Sequence, residues 1–420
     1  MSPSSRRLLR RPATGAVTGQ VTQAVAGLAL QVAAARSLGA AGLATFALVY
    51  GAVVLVTAVA SGLVGDSLTV LDRHERGIRA GLHDWAVGIA AAAGLAGAGL
   101  AALAGVVPPW AALVLGVAVT AFVLEDTLRR LLMAAGRFWS LPVVDGTSLV
   151  LALATLLVCA LGGPLSLSSF ALALLVGQSG AAVVAWGLLP PVERPRGPWR
   201  APSLATVWEF GVWRAASQTV RPALLTGLRL VVVGAVGAAA YGPLEAARVY
   251  TAPTLTLVAG LGSFLLPHYV ATRGRPAAES LRGADRVALR LAAAVAALGA
   301  AVLVLQPVVE PLLTGGEYAV PPTAVAGWCA YALAAAVLLP YSGLAAVHRQ
   351  QRRVLLLRLL EFAGLAAVLG LVLLADGGEV WAPLVLAAGP LLVAGTVRQR
   401  VLRPLARRGP DLARPAPVTV

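Results

Sequence analysis

The chain has 420 residues, of which 59% are hydrophobic and only 12% charged, with a mean hydropathy of +0.83. Soluble domains carry about 25% charged residues, so this chain must be solvated mostly by lipid. Twelve membrane helices of roughly 20 residues use about 250 positions, and the remainder is too short for an appended kinase, glycosyltransferase or nucleotide-binding domain.

All 33 basic residues are arginine. The lack of lysine removes P-loop lysines, Schiff-base lysines and Ser-Lys dyads; a GC-rich codon bias accounts for it. Cys159 and Cys329 lie far apart in apolar stretches. They read as small core residues, not as a disulfide or metal pair.

Hydropathy predicts helices over 13–35, 41–64, 85–106, 110–126, 141–161, 168–189, 207–236, 243–270, 286–308, 322–346, 354–375 and 380–397. The fold class expected is an all-α polytopic membrane protein. The first span is weak because it carries Thr18, Gln20, Thr22, Gln23 and Gln31. The fourth is short, which leaves the count open by one pair.

The arginines sort by side. With the N-terminus inside, the inner segments hold Arg6, Arg7, Arg10 and Arg11, then Arg73, Arg76 and Arg79, then Arg129, Arg130 and Arg137. Arg194, Arg196 and Arg200 follow, then Arg273, Arg275, Arg282 and Arg286, then Arg349, Arg352 and Arg353. The tail adds Arg398, Arg400, Arg403, Arg407, Arg408 and Arg414. That makes 26 inside against Arg36 and Arg248 at the outer edge, with the other five within spans. The positive-inside rule then puts both termini in the cytoplasm of a cell-membrane protein. The net charge of +15 is a topology signal, and no nucleic-acid partner is expected.

The start, Ser5-Arg6-Arg7-Leu8-Leu9-Arg10, has twin arginines but no short apolar region with a cleavage site after it. It reads as the basic flank of a first helix. Outer loops such as Val107-Pro108-Pro109 and Gly162-Gly163-Pro164 are short and uncharged. Membrane enzymes acting on lipid-linked sugars usually need acidic residues or a large domain there. The four histidines all fall near the inner boundary, and no His/Asp/Glu cluster has metal spacing. No enzyme activity, cofactor or metal is expected. The loop Asp72-Arg73-His74-Glu75-Arg76 reads as a solvated face.

An internal repeat divides the chain at Pro190-Pro191-Val192-Glu193-Arg194-Pro195. Leu38-Gly39-Ala40-Ala41-Gly42 answers Val236-Gly237-Ala238-Ala239-Ala240, and Gly62-Leu63 answers Gly260-Leu261, at an offset of 198. At that offset Gln20 falls on Gln218, Gln23 on Arg221 and Gln31 on Arg229. The expected organisation is a six-helix bundle over 1–190, a proline- and arginine-rich linker over 191–205, a second bundle over 206–400 and a tail over 401–420. Parallel repeats about an axis normal to the membrane are a transporter architecture.

With Leu38-Gly39-Ala40-Ala41-Gly42, Phe210-Gly211, Val236-Gly237 through Tyr241-Gly242, Ala247, Tyr250, Pro253 and Leu266-Pro267, the chain resembles the polysaccharide-type flippases and exporters of the multidrug/oligosaccharidyl-lipid/polysaccharide (MOP) superfamily. The resemblance covers both halves through loose Gly/Ala/Pro patterns. It implies two six-helix bundles in a V around a central cavity lined by helices 1 and 7. Twelve spans fit the polysaccharide branch better than the peptidoglycan-precursor flippases, which usually have fourteen.

Helix 7 carries Arg214, Ser217, Gln218, Arg221 and Arg229. At 100° per residue they share an arc of about 120°, and Arg221 lies roughly 20 Å along the helix. An arginine that deep costs at least about 2.5–3.5 kcal/mol unless it meets water or a partner. Pro222 removes a backbone donor beside it and predicts a kink. Two readings stand. In one, Arg214, Arg221 and Arg229 line a cavity and bind a phosphate, with Gln218, Gln20, Gln23 and Gln31 facing sugar hydroxyls. In the other they pair with carboxylates, for which Glu209, Asp145 and Glu361 are candidates. Asp145 and Glu361 are also candidates for ion coupling, although Asp145, about a turn inside the fifth span, reads first as an inner-boundary ion pair. Arg358 with Glu361, and Glu245 with Arg248, stand at i,i+3 spacing and read as local ion pairs.

The function expected is a flippase or exporter of lipid-linked oligosaccharide on a polyprenyl phosphate or pyrophosphate carrier, working by alternating access beside glycosyltransferases and polysaccharide-export proteins. A drug/cation antiporter of the same superfamily is the alternative, and it would favour acidic residues at the site. A membrane glycan polymerase or glycosyltransferase and a non-transporting scaffold are the other readings.

Overall fold

The computed structural model describes residues 12–195, 201–272, 274–348 and 350–407. Arg6, Arg7, Arg10, Arg11, Arg196, Arg200, Arg273, Arg349, Arg408 and Arg414, all assigned above to the inner side, lie outside the described residues.

Among the described residues every regular element is helical, and twelve long helices follow one another. They are α1 (Pro12–Ser37), α2 (Gly39–Gly65, ending in a π turn), α3 (Arg76–Leu103), α4 (Pro109–Ala134), α5 (Phe138–Gly162) and α6 (Leu167–Leu188). Then come α7 (Leu204–Val236), α8 (Ala238–Ala271), α9 (Ala277–Thr314), α10 (Pro322–Val347), α11 (Gln351–Leu374) and α12 (Gly378–Arg407). Ten of them are long and apolar enough to cross a membrane; α1, the helix weakened by its glutamines and threonines, and α8 are the other two. Local signals set several ends. Pro109 and Pro322 open α4 and α10 at the position where a missing N–H costs nothing. Gly315 closes α9 in the left-handed conformation that glycine adopts freely.

Several helices run past the edges that hydropathy gives, among them three by about two turns into polar sequence. Helix α3 starts at Arg76 instead of 85, α9 at Ala277 instead of 286, and α4 continues to Ala134 instead of 126. The extra turns are polar, so a hydropathy window stops at them; in α4 Arg129 pairs with Asp145 of α5 at 2.9 Å, and in α9 Asp285 pairs with Arg398 of α12 at 2.8 Å. Pro222 lies inside an unbroken α7.

Packing separates two units, Met1–Arg229 and Leu230–Val420, so residues 204–229 of α7 pack with the helices that precede the 191–205 linker. Backbone and indole bonds tie them there: Ser203 N donates to Gly77 O at 2.9 Å, Trp85 Nε1 donates to Leu204 O at 3.1 Å, and Trp85 stacks on Trp208 at 5.4 Å. The core of the first unit joins Leu63, Leu82, Leu131, Leu132, Leu141 and Val144 from α2 to α5. In the second unit Trp328 and Tyr331 are fully buried, and Trp328 Nε1 donates to Leu244 O at 2.9 Å.

Candidate functional site

Small residues bring α2 and α7 together within the first unit. A Cβ on Gly62 would collide with the backbone of Ala215, and one on Gly211 with Leu63 O. This close crossing places Asp66, just after the π turn that ends α2, level with Arg214. Asp66 Oδ2 accepts from Arg214 Nε at 2.8 Å and from Gln218 Nε2 at 2.9 Å. Two of the expected helix 7 residues therefore converge on one carboxylate. It is Asp66, not the candidate Glu209, which is exposed. Arg214 also lies over the Phe210 ring at 5.8 Å, a cation–π contact.

A second group of charges lies on α4. Asp126 Oδ2 accepts from Ser61 Oγ and from Arg130 Nε, both at 2.8 Å. Arg129 donates to both oxygens of Asp145, at 2.9 and 3.1 Å, and both residues are buried. Arg129 and Arg130, counted above as loop arginines, are thus tertiary ion-pair residues. Asp145, a candidate for ion coupling, is held by Arg129. Between these pairs sits Glu125, 6% exposed and without a hydrogen bond or ion pair among the described residues.

Further along α7, Arg229 is buried beside Thr226 and against Gly51 of α2, where any Cβ would overlap its guanidinium. Arg221 is half-buried and makes no hydrogen bond or ion pair among the described residues. On α1, Gln31 Nε2 turns back to Gly27 O at 3.1 Å, while Gln20 and Gln23 are exposed. No hydrogen bond among the described residues joins Gln20 or Gln23 to the arginines of α7.

The loop expected to be a solvated face is exposed at Asp72, His74, Glu75 and Arg76, but its Arg73 is clamped. Arg73 Nε and Nη2 reach the Glu193 carboxylate at 3.0 and 2.9 Å, and Nη2 also donates to Ala134 O at 3.2 Å. The bond from Arg73 holds the Glu193 carboxyl below the usual carboxylate range, and the same bond raises the guanidinium.

In the second unit Glu361, 1% exposed, accepts from Arg358 Nε at 2.9 Å. Glu245 accepts from Tyr241 OH at 2.9 Å and from Arg248 Nε at 2.7 Å. Among the described residues no His, Cys, Asp or Glu group has the clustering a metal ion requires.

No family model and no curated protein matches the chain. Solved structures do. An inward-facing multidrug resistance MATE family transporter of the MOP superfamily matches with a TM-score of 0.71 and 16% identity, over 94% of this chain and 99% of that one. Its fold is that of the MATE transporters. An outward-facing one matches at 0.62 and 15%, over 96% and 98%. A MOP superfamily transporter from Pyrococcus furiosus, for which reverse polarity of the binding pocket suggests a different function, matches at 0.58 and 17%, over 95% and 98%. These neighbours are transporters, not enzymes.

Asp66, Asp126 and Glu125 were not singled out from the sequence. The available signal was Glu125-Asp126-Thr127-Leu128-Arg129-Arg130, acids one helical turn before arginines, at the end of an apolar run.

Proposed function

We propose that the chain is a polytopic exporter working by alternating access, and that it couples export of drug-like or cationic cargo to the return of an ion. One observation carries the coupling: Glu125 is a buried carboxylate without a hydrogen bond or ion pair among the described residues. An ionised carboxylate taken out of water costs several kcal/mol unless it is paired. Taking up a proton or a small cation removes that cost, and a group whose cost depends on ion uptake can link an ion gradient to a conformational equilibrium. The fold supports the rest, since inward- and outward-facing transporters share it.

The test uses the full chain in liposomes with a fluorescent lipophilic cation and an imposed pH or sodium gradient. Wild-type protein moves the dye with the gradient. Glu125→Gln keeps the side-chain shape and removes the titrating oxygen, so it should bind dye but lose the gradient dependence. The same dependence in both proteins rejects coupling through Glu125.

Arg221 favours a second reading, translocation of lipid-linked oligosaccharide. It is a half-buried guanidinium with no carboxylate on it, and a guanidinium fork suits a polyprenyl phosphate or pyrophosphate. The reversed pocket polarity reported for the Pyrococcus furiosus protein is a precedent for different cargo on this fold. In this reading the partners are glycosyltransferases and polysaccharide-export proteins, and movement of a lipid-linked sugar across the liposome bilayer is the decisive assay. In both readings the arginine bias puts the termini in the cytoplasm of a cell membrane.

A further inference from the structure

Helix α8 ends at Ala271 and α9 begins at Ala277. Against this turn, inside the second unit, lies a cavity of about 190 Å3 whose walls include Thr272, Arg275, Glu279, Ser280, Arg286 and Arg290. Three arginines and one carboxylate are among its lining residues. Arg275 stands 3.6 Å from Glu279, with both side chains largely exposed. Arg286 and Arg290 make no hydrogen bond or ion pair among the described residues.

The spacing of Arg286 and Arg290 matters. Positions four apart lie one above the other on a helix, and like charges there repel. The cavity collects this unpaired positive charge where an anion would relieve it. Gly283, on the same wall, keeps the space open: a Cβ there meets nothing within 4 Å.

Depth identifies the anion. From Leu291 to Val309 the chain has nineteen residues without a charge, and nineteen helical residues span about 28 Å, close to the ~30 Å hydrocarbon core. Arg290 therefore stands at the hydrocarbon edge, with Arg286 one turn farther out at headgroup level. The arginine bias assigns that edge to the cytoplasmic leaflet, where anionic lipids concentrate.

We propose that this cavity binds a phosphate group, supplied by the headgroup of an anionic phospholipid of the inner leaflet, through the Arg286 and Arg290 forks and the Ser280 hydroxyl. Free inorganic phosphate has the same chemistry. The acyl chains would run along the uncharged segment of α9. The site is independent of the exporter's cargo and of Glu125.

Native mass spectrometry of the detergent-solubilised full chain tests this, with dioleoyl phosphatidylglycerol, dioleoyl phosphatidylcholine and inorganic phosphate as probes. Wild-type protein should retain phosphatidylglycerol in preference to phosphatidylcholine. Arg286→Gln and Arg290→Gln should each lower retention about fivefold. Arg282→Gln, an equal charge loss on α9 at a position exposed like Arg286 and Arg290 but outside the cavity lining, should stay within twofold. Arg286→Lys with Arg290→Lys keeps the charge but loses the forks, and Gly283→Leu fills the cavity without changing charge; both should fall as well.

Melting curves restrict the comparison to folded variants. Displacement of the lipid by millimolar inorganic phosphate would make free phosphate the ligand of the same site. Equal retention by all variants, or equal losses for Arg282→Gln and Arg286→Gln, overturns the proposal, because either result leaves only general charge attraction.

Discussion

Arg129 holds both oxygens of Asp145, Nε to Oδ1 at 2.9 Å and Nη2 to Oδ2 at 3.1 Å, with the two side chains only 4% and 5% exposed. This pair joins the end of α4 to the start of α5. Its burial makes each partner dependent on the other, because removing one leaves a desolvated charge.

Asp145→Asn should therefore cost about 3–5 kcal/mol of stability, whereas replacing both, Arg129→Met with Asp145→Leu, should recover most of the loss. Denaturant titration of the purified protein measures both. A stable Asp145→Asn protein that has lost its response to an ion gradient would instead give Asp145 the coupling role.

The α2–α7 crossing gives a prediction in volume, not charge. Gly62 has the Ala215 backbone where a Cβ would be, and backbone cannot rotate away. Gly62→Val should separate the two helices, destabilise by roughly 1–3 kcal/mol or more, and weaken the Arg214 and Gln218 contacts to Asp66. Gly88→Ala on α3, where a Cβ meets nothing within 4 Å, should be neutral or stabilising by up to about 1 kcal/mol. Thermal melting of the two variants decides, and similar melting points would contradict the close crossing.

Hydropathy and composition carried the number and order of the helices, because lipid demands long apolar runs. Helix ends were harder to read, since Arg129 and Arg130 have the chemistry of a solvated loop until the fold pairs them. The helix 7 arc of Arg214, Gln218, Arg221 and Arg229 follows from periodicity alone. Its partner does not: Asp66 is 148 residues from Arg214, and only the α2–α7 crossing joins them. Glu125 is a similar case. Its lack of a partner is a property of packing, and no local pattern of residues encodes it.

The Arg73–Glu193 clamp predicts a pH dependence. The Glu193 carboxyl lies below its usual range in the folded protein because Arg73 donates to it. A depressed carboxylate stabilises the fold above its unfolded value of about 4.3, and that contribution is lost as pH falls through the lower folded value. The wild-type melting temperature should drop on acidification below about pH 4.5, and Glu193→Gln should remove part of the drop while lowering stability at pH 7. Parallel melting curves for the two proteins from pH 7 to pH 3.5 would show that the clamp contributes nothing.

Arg221 separates the two cargo readings. It is half-buried and has no carboxylate to lose, so Arg221→Ala should leave folded abundance nearly unchanged, in contrast to Asp145→Asn. If a carrier-lipid phosphate is the ligand, Arg221→Ala gives up a charge-assisted contact of about 1.5–3 kcal/mol, roughly ten- to 150-fold in affinity for a polyprenyl phosphate. Arg221→Lys should recover part of it, because the charge remains while the bidentate fork is lost. If the cargo is a cation, Arg221 repels it, and Arg221→Ala should keep or raise dye export per folded molecule. Transport per folded molecule of both substrates by the Ala and Lys variants gives opposite signs for the two readings. Wild-type rates for both substrates in Arg221→Ala would remove Arg221 from the cargo path altogether.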